Sequence, residues 1–166
     1  FIGSSLVEKL LKTGHSVINV DNFDDFYDYK IKIKNTLESV NLPITFSFSE
    51  KQKDIETLKN LTLSDNYRLY YTDIRDIEAL DQIFATHKID QIIHLAALAG
   101  VRPSIERTLD YVDVNIKGST NLWELCKKHK IHKFIYASSS SVYGNNETIP
   151  FSETDNVDRP ISPYAA

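Results

Sequence analysis

Short apolar runs alternate with stretches of helical spacing along this chain, and that alternation restricts how its strands can pair. Residues 16–20 (SVINV), 67–72 (YRLYYT), 90–95 (DQIIHL) and 132–137 (HKFIYA) are strand-sized. Residues 4–13 carry Leu6, Val7, Leu10 and Leu11 on one helical face, and Gly14 is a natural C-terminal stop. Residues 76–88 repeat the pattern with Ile77, Leu80, Ile83 and Phe84 behind an N-capping Asp76. A long helix follows over 109–129, with Val112, Ile116, Leu122, Trp123 and Cys126 near one face. Strands separated by such helices pair in parallel through right-handed crossovers, which gives a doubly wound α/β sheet covered on both faces. Residues 24–66 fit this reading least. Helices are possible over 29–40 and 51–63, but 41–66 reads as an insertion of uncertain structure inside one domain spanning 1–166.

Composition narrows the function. A net charge of -4 and a pI near 5.7 argue against an electrostatic nucleic-acid binder. The longest apolar stretches are strand-sized, so no membrane-spanning helix is expected. The single cysteine, Cys126, excludes a disulfide framework and fits a reducing, cytoplasmic setting. No His/Asp/Glu spacing suggests a metal site, and His94, inside a strand, reads as a packed core histidine. The chain opens Phe1-Ile2-Gly3 and contains no methionine, so a longer protein is expected.

In a doubly wound sheet the ligand crevice lies beyond the carboxyl ends of the strands. The residues there are Asp21-Asn22, Asp73-Ile74-Arg75, Ala96-Ala97 and 138–141, all four groups small or polar. Asp21 follows Gly3 by 18 positions, where a carboxylate can accept both ribose hydroxyls of an adenosine and repel a 2′-phosphate. A turn aspartate explains it equally well. The stretch Ala137-Ser138-Ser139-Ser140-Ser141-Val142-Tyr143-Gly144 is more informative, because it sets four hydroxyls directly after a buried strand. Tyr164, 25 residues beyond Ser139, follows Pro163 at what reads as the start of another helix.

Together these pieces resemble the extended short-chain dehydrogenase/reductases, the NAD-dependent nucleotide-sugar epimerases and dehydratases. Phe1-Ile2-Gly3 resembles the end of that family's glycine-rich phosphate turn, and His94-Leu95-Ala96-Ala97 resembles its cofactor-lining strand end. Asn115 matches the family asparagine before the serine strand, Ser139 the catalytic hydroxyl, and Tyr164 the tyrosine of a Tyr-x-x-x-Lys pair. Within the family, the branch that epimerises UDP-glucuronate at C4 is the most similar. Asp21-Asn22, Asp28-Tyr29, Ala99-Gly100-Val101-Arg102, Pro150-Phe151-Ser152-Glu153 and Pro163-Tyr164-Ala165-Ala166 carry that likeness. The dehydratase branch carries an acidic pair after its serine strand, whereas Ser139, Ser140 and Ser141 supply no acid.

The resemblance implies a Rossmann-type fold truncated at both ends, without the substrate domain, and NAD as cofactor. It implies an isomerase in which Tyr164 exchanges a proton with the sugar 4-hydroxyl while C4 is transiently oxidised to a ketone, and in which Ser139 bonds the same oxygen. Cofactor contacts are assigned to Phe1, Ile2, Gly3, Asp21, Asn22, Asp73, Ile74, Leu95, Ala96, Ala97, Ala99, Asn115, Ala137 and Tyr164. Ser139, Ser140 and Ser141 are assigned to the nucleotide-sugar substrate. Arg102 is also placed there, although a surface ion pair explains it equally well. The whole protein is expected to be a homodimer, and these 166 residues by themselves to be inactive. Other readings are a 4-epimerase of UDP-galactose or a UDP-N-acetylhexosamine, a nucleotide-sugar 4,6-dehydratase, and an NAD-binding regulatory module without catalysis.

Overall fold

The computed structural model describes residues 1–166 and is α/β and Rossmann-type. It divides into two compact units, residues 1–73 and 74–166. The first runs α1 (Ile2–Lys12), β1 (Val17–Asp21), α2 (Tyr29–Ser39), α3 (Lys51–Thr62) and β2 (Tyr67–Tyr71). β1 and β2 pair in parallel from Val17↔Tyr67 to Asp21↔Tyr71, so their carboxyl ends lie side by side. Val7, Phe23, Ile33, Leu37, Ile55, Leu58, Tyr67 and Leu69 form one buried cluster. The Tyr67 hydroxyl accepts from Asn19 Nδ2 at 3.1 Å, and burial pushes its pKa up to about 12.

The segment 41–66 is integral to this core. Ile55 and Leu58 of α3 are 1% and 0% exposed. Two aliphatic side chains buried to that degree contribute about 1.5–3 kcal/mol each. The connection into α3 is tied down by Asp54, which accepts from Ser49 N at 2.9 Å, Ser49 Oγ at 2.8 Å and Tyr29 Oη at 3.0 Å. Burial pushes this carboxyl up, and the bonds from Ser49 and Tyr29 outweigh it, so its pKa lies below the usual carboxylate value. Phe46 and Phe48 pack on the same cluster, 5.1 Å apart between centroids.

The second unit runs α4 (Ile77–Thr86), β3 (Ile92–His94), α5 (Val101–Glu106), α6 (Thr108–Tyr111), a π-helical segment (Val112–Gly118), α7 (Ser119–Lys128), β4 (Phe134–Tyr136) and a 3₁₀ turn (Ser140–Tyr143). Asp76 caps α4 by accepting from Ala79 N at 3.0 Å. β3 and β4 are parallel, with His94 opposite Tyr136. Every ladder is therefore parallel, but there are two ladders of two strands each and no continuous four-stranded sheet.

The single helix expected over 109–129 is replaced by α6, the π segment and α7. Two local features accompany the change. Arg107, at φ -125° and ψ 44°, separates α5 from α6. Gly118 ends the π segment where a Cβ would stand 2.5 Å from Ile74 Cδ1, so the absence of a side chain lets the helix pack this closely on Ile74. The helix expected from Pro163 is a single turn, with Ala165 N and Ala166 N bonded to Ser162 O. α5 has no counterpart in the sequence reading.

The contrast between two leucines of α3 tests whether the 41–66 segment is structural. Leu58→Ala should cost about 2–5 kcal/mol in urea unfolding, because it opens a cavity in the core. Leu61→Ala, at a 54%-exposed position, should stay within about 0.5 kcal/mol.

Candidate cofactor and active site

The parallel ladder of the first unit delivers a polar cluster to its carboxyl end. Asp21, the last residue of β1, accepts at Oδ1 from Phe23 N at 2.6 Å and lies 3.4 Å from Lys32 Nζ. Both contacts fall on Oδ1, so Oδ2 is open. Phe23 can close this tight bend because it adopts φ 48° while its ring is buried in the core. Asn22 Nδ2 donates to Asp73 Oδ2 at 2.8 Å, joining the ends of both strands. Asn22 Oδ1 accepts from Asp24 N at 3.0 Å, which holds the amide in this orientation.

Phe1, Ile2 and Gly3 form the N-terminal turn of α1, with Phe1 and Ile2 exposed. The Ser4 and Ser5 hydroxyls both donate back to Phe1 O, at 2.8 and 3.2 Å, and no side chain caps the first amides of the helix. No hydrogen bond links this turn to Asp21 or Asn22.

In the second unit the loop after β3 is held from the π segment. Asn115 Oδ1 accepts from Leu98 N at 2.8 Å and Asn115 Nδ2 donates to Leu98 O at 3.0 Å. A side-chain amide paired with one residue's N–H and C=O mimics a strand partner. Tyr111 Oη adds a bond to Ala99 O at 2.6 Å. Ala96, Ala97 and Ala99 are exposed on this loop, and Leu95 is half-buried. Ile74 is buried, and its carbonyl accepts from Asn121 Nδ2 at 3.0 Å.

His94, at the end of β3, is buried, with Nε2 2.8 Å from Ser119 Oγ. Ser119 has one hydroxyl hydrogen, and it goes to Asn115 O at 2.6 Å. His94 Nε2 therefore carries the proton and donates to Ser119. Burial pushes this imidazole below its ordinary pKa of 6.5, so it is neutral at neutral pH.

β4 leads through Ala137, whose N–H donates to His94 O at 3.0 Å, into the serine run. Ser139 caps the 3₁₀ turn. Its hydroxyl accepts from Ser141 N at 3.2 Å and donates to Ser141 Oγ at 3.1 Å. Ser140 is exposed and Ser141 half-buried. Tyr164 is held elsewhere in the same unit. Its N–H donates to Oγ of fully buried Ser104 at 3.2 Å, and its ring meets Tyr111 edge-on at 6.2 Å. No hydrogen bond joins Ser139 to Tyr164. Arg102 is exposed on α5 and makes no ion pair.

Three contributors escaped the sequence reading. Lys32 lies on a polar helix with no motif, Ser104 is an unremarked serine in an unexpected helix, and Ser119 reads as a helix residue only. Each acts through a contact made by folding, and none has a sequence signal of its own.

The profile of the NAD dependent epimerase/dehydratase family matches residues 1–166. A UDP-glucuronate 4-epimerase of Thermodesulfobacterium geofontis is 41% identical over 166 residues, all of this chain and 44% of the relative. Among solved structures, UDP-N-acetylglucosamine 4-epimerase from Methanobrevibacter ruminantium, in complex with UDP-N-acetylmuramic acid, aligns at a TM-score of 0.72 and 32% identity. UDP-glucose 4-epimerase from Bifidobacterium longum, in complex with NAD+ and UDP, aligns at 0.72 and 27%. Each solved alignment covers 99% of this chain and 42–43% of the other. The chain thus spans under half the length of the relatives it matches.

Asn115 provides a direct test of the loop clamp. Asn115→Ala should lower stability by about 1–3 kcal/mol, since it leaves the Leu98 N–H and C=O without a partner. Hydrogen exchange should show the Leu98 amide losing protection while the β1–β2 amides keep theirs.

Proposed function

The chain belongs to the NAD dependent epimerase/dehydratase family, and on that premise we propose that the whole protein binds NAD and inverts C4 of a UDP-sugar, UDP-glucuronate being our assignment. The observation that carries the proposal is the chemistry at the strand ends: an open carboxylate oxygen on Asp21 after β1, and a held hydroxyl on Ser139 after β4.

The residues present fit the cofactor. Oδ2 of Asp21 is a pure acceptor and suits the two hydroxyl donors of an adenosine ribose. The uncapped first turn of α1, with Gly3 in it, suits a pyrophosphate. The exposed alanines of the clamped loop leave room for a flat ring beside Asn115. When bound, NAD supplies reversible oxidation at the sugar C4.

The chain's own groups handle the proton and the sugar. Tyr164 Oη takes the proton of the 4-hydroxyl and returns it after the ketone has turned over in the site. A phenol with an ordinary pKa of about 10 is a weak base near neutrality. It therefore needs a cation close by, a role the family pattern gives to a lysine one helical turn after the tyrosine. Ser139 bonds the same phenolic oxygen. Ser140, Ser141 and Arg102, the last with no acid already paired to it, are suited to the sugar carboxylate or a phosphate. UDP-glucuronate is favoured because the 41%-identical relative bears that activity in its name. The solved neighbours named for UDP-glucose and UDP-N-acetylglucosamine support the neutral-sugar reading instead.

The test supplies the whole protein with UDP-glucuronate and UDP-galactose separately and follows C4 configuration by proton NMR. Inversion of UDP-glucuronate without consumption of added NAD is expected. Tyr164→Phe should abolish turnover with NAD still bound, and Ser139→Ala should slow it roughly 10²-fold or more. Conversion of the neutral sugar alone would transfer the assignment to that substrate. Conversion of neither, with NAD bound, would make the protein a binding module.

Self-association is part of the same proposal. Leu109, Val112 and Ile116 are 82%, 43% and 51% exposed at successive helical spacings, an apolar stripe that suits a helix from a second copy. The whole protein should have the mass of a homodimer in solution scattering, and Leu109→Lys should shift it toward monomer.

A further inference from the structure

Lysine heads are among the most exposed groups on a protein. Lys32 departs from this, with a side chain 12% exposed. Its ammonium lies 3.4 Å from Asp21 Oδ1 and 5.2 Å from the centroid of the Tyr27 ring. Tyr27 and Asp21 are therefore both neighbours of one cation. The position arises from the fold: Lys32 lies in the first turns of α2, whose neighbours Ile33 and Leu37 are sealed into the core. The helix therefore cannot turn the lysine outward without exposing them.

The chemistry of this cluster is unequal. Asp21 spends Oδ1 on Phe23 N and Lys32 and keeps Oδ2 open. An ammonium carries three donors, and only one is directed at Asp21. A vicinal diol at Oδ2 would be met by an acceptor and by a donor together. A phosphate ester at the same place would meet a carboxylate whose charge is already partly offset.

Resting on the NAD reading above, we propose that Lys32 is a specificity-determining residue for the cofactor. It donates to the ribose hydroxyl that Asp21 accepts from, and it reduces the penalty Asp21 imposes on a 2′-phosphate. Discrimination between NAD and NADP is then set by the Asp21–Lys32 pair, and the carboxylate acting alone would discriminate more sharply.

The experiment titrates NAD and NADP separately into the whole protein by calorimetry, for the wild type, Lys32→Gln, Lys32→Arg and Asp21→Asn. Lys32→Gln should weaken NAD by roughly three- to tenfold and NADP by about a further tenfold, widening the preference for NAD. Lys32→Arg should restore the wild-type ratio. Asp21→Asn, which leaves Lys32 without its acid, should strengthen NADP by about tenfold relative to NAD, and this arm carries the test if the glutamine variant does not fold. An unchanged NADP-to-NAD ratio in Lys32→Gln and in Asp21→Asn would overturn the role of Lys32 while leaving NAD binding intact. Failure of the wild type to bind either nucleotide would overturn the NAD reading itself.

Discussion

Parallel pairing is the constraint on which the rest of this molecule depends. A parallel ladder cannot be closed by a tight turn, so each strand must be followed by a crossover of a dozen residues or more. The connection from β1 to β2 carries two helices, and their apolar faces supply half of the buried core cluster of the first unit. Parallel strands also end on the same side, and this alone brings Asp21-Asn22 beside Asp73 across a separation of 51 residues. The second unit repeats the device with three-residue strands. Ladders so short contribute few backbone bonds, so the loops that follow them need side chains to hold their shape.

Those side chains explain why some of the site was legible in the sequence and some was not. Strand ends can be read from alternation, so Asp21, Asp73, Ala96 and Ser139 could be placed after strands without coordinates. Caps are local, and Asp76 caps α4 as its spacing suggested. The segment 41–66 was opaque because its cue is weak. α3 has only Ile55 and Leu58 sealed in the core, and its anchoring carboxylate, Asp54, looks like any surface acid until Tyr29 and Ser49 fold onto it. The long helix was misread for a different reason. Hydrophobic spacing over 109–129 does not register a widened turn, and the close packing of Gly118 on Ile74 at its end is a tertiary contact without a sequence signal of its own.

The π segment also gives Asn115 its use. A regular helix would present that amide with a different rotation, whereas the widened turn allows it to bond both polar groups of Leu98 while Ser119, one turn on, bonds Asn115 O and meets His94. The loop after β3, the helix and the strand end are thus joined in one hydrogen-bonded chain. All of its members are neutral, since burial keeps His94 uncharged. Neutral bonds of this kind hold a loop at modest individual strength, about 1 kcal/mol each, without placing a charge where a nicotinamide ring would lie in the proposed complex.

Ser139, the hydroxyl proposed above for catalysis, is oriented by its own turn. Its oxygen accepts Ser141 N and its hydrogen is directed at Ser141 Oγ, so the cap of the 3₁₀ turn fixes the rotamer. Under the proposed chemistry the same hydrogen must turn to the Tyr164 phenolate. That exchange gives up a neutral bond of 3.1 Å and gains a charge-assisted one, which is roughly twice as strong. The accepting bond from Ser141 N can persist throughout, but Tyr164, held here by Ser104 and Tyr111, must also come within reach of Ser139. A run of serines suits the proposed chemistry better than a single one: Ser141 would hold the hydrogen while the phenol is protonated and release it to the phenolate.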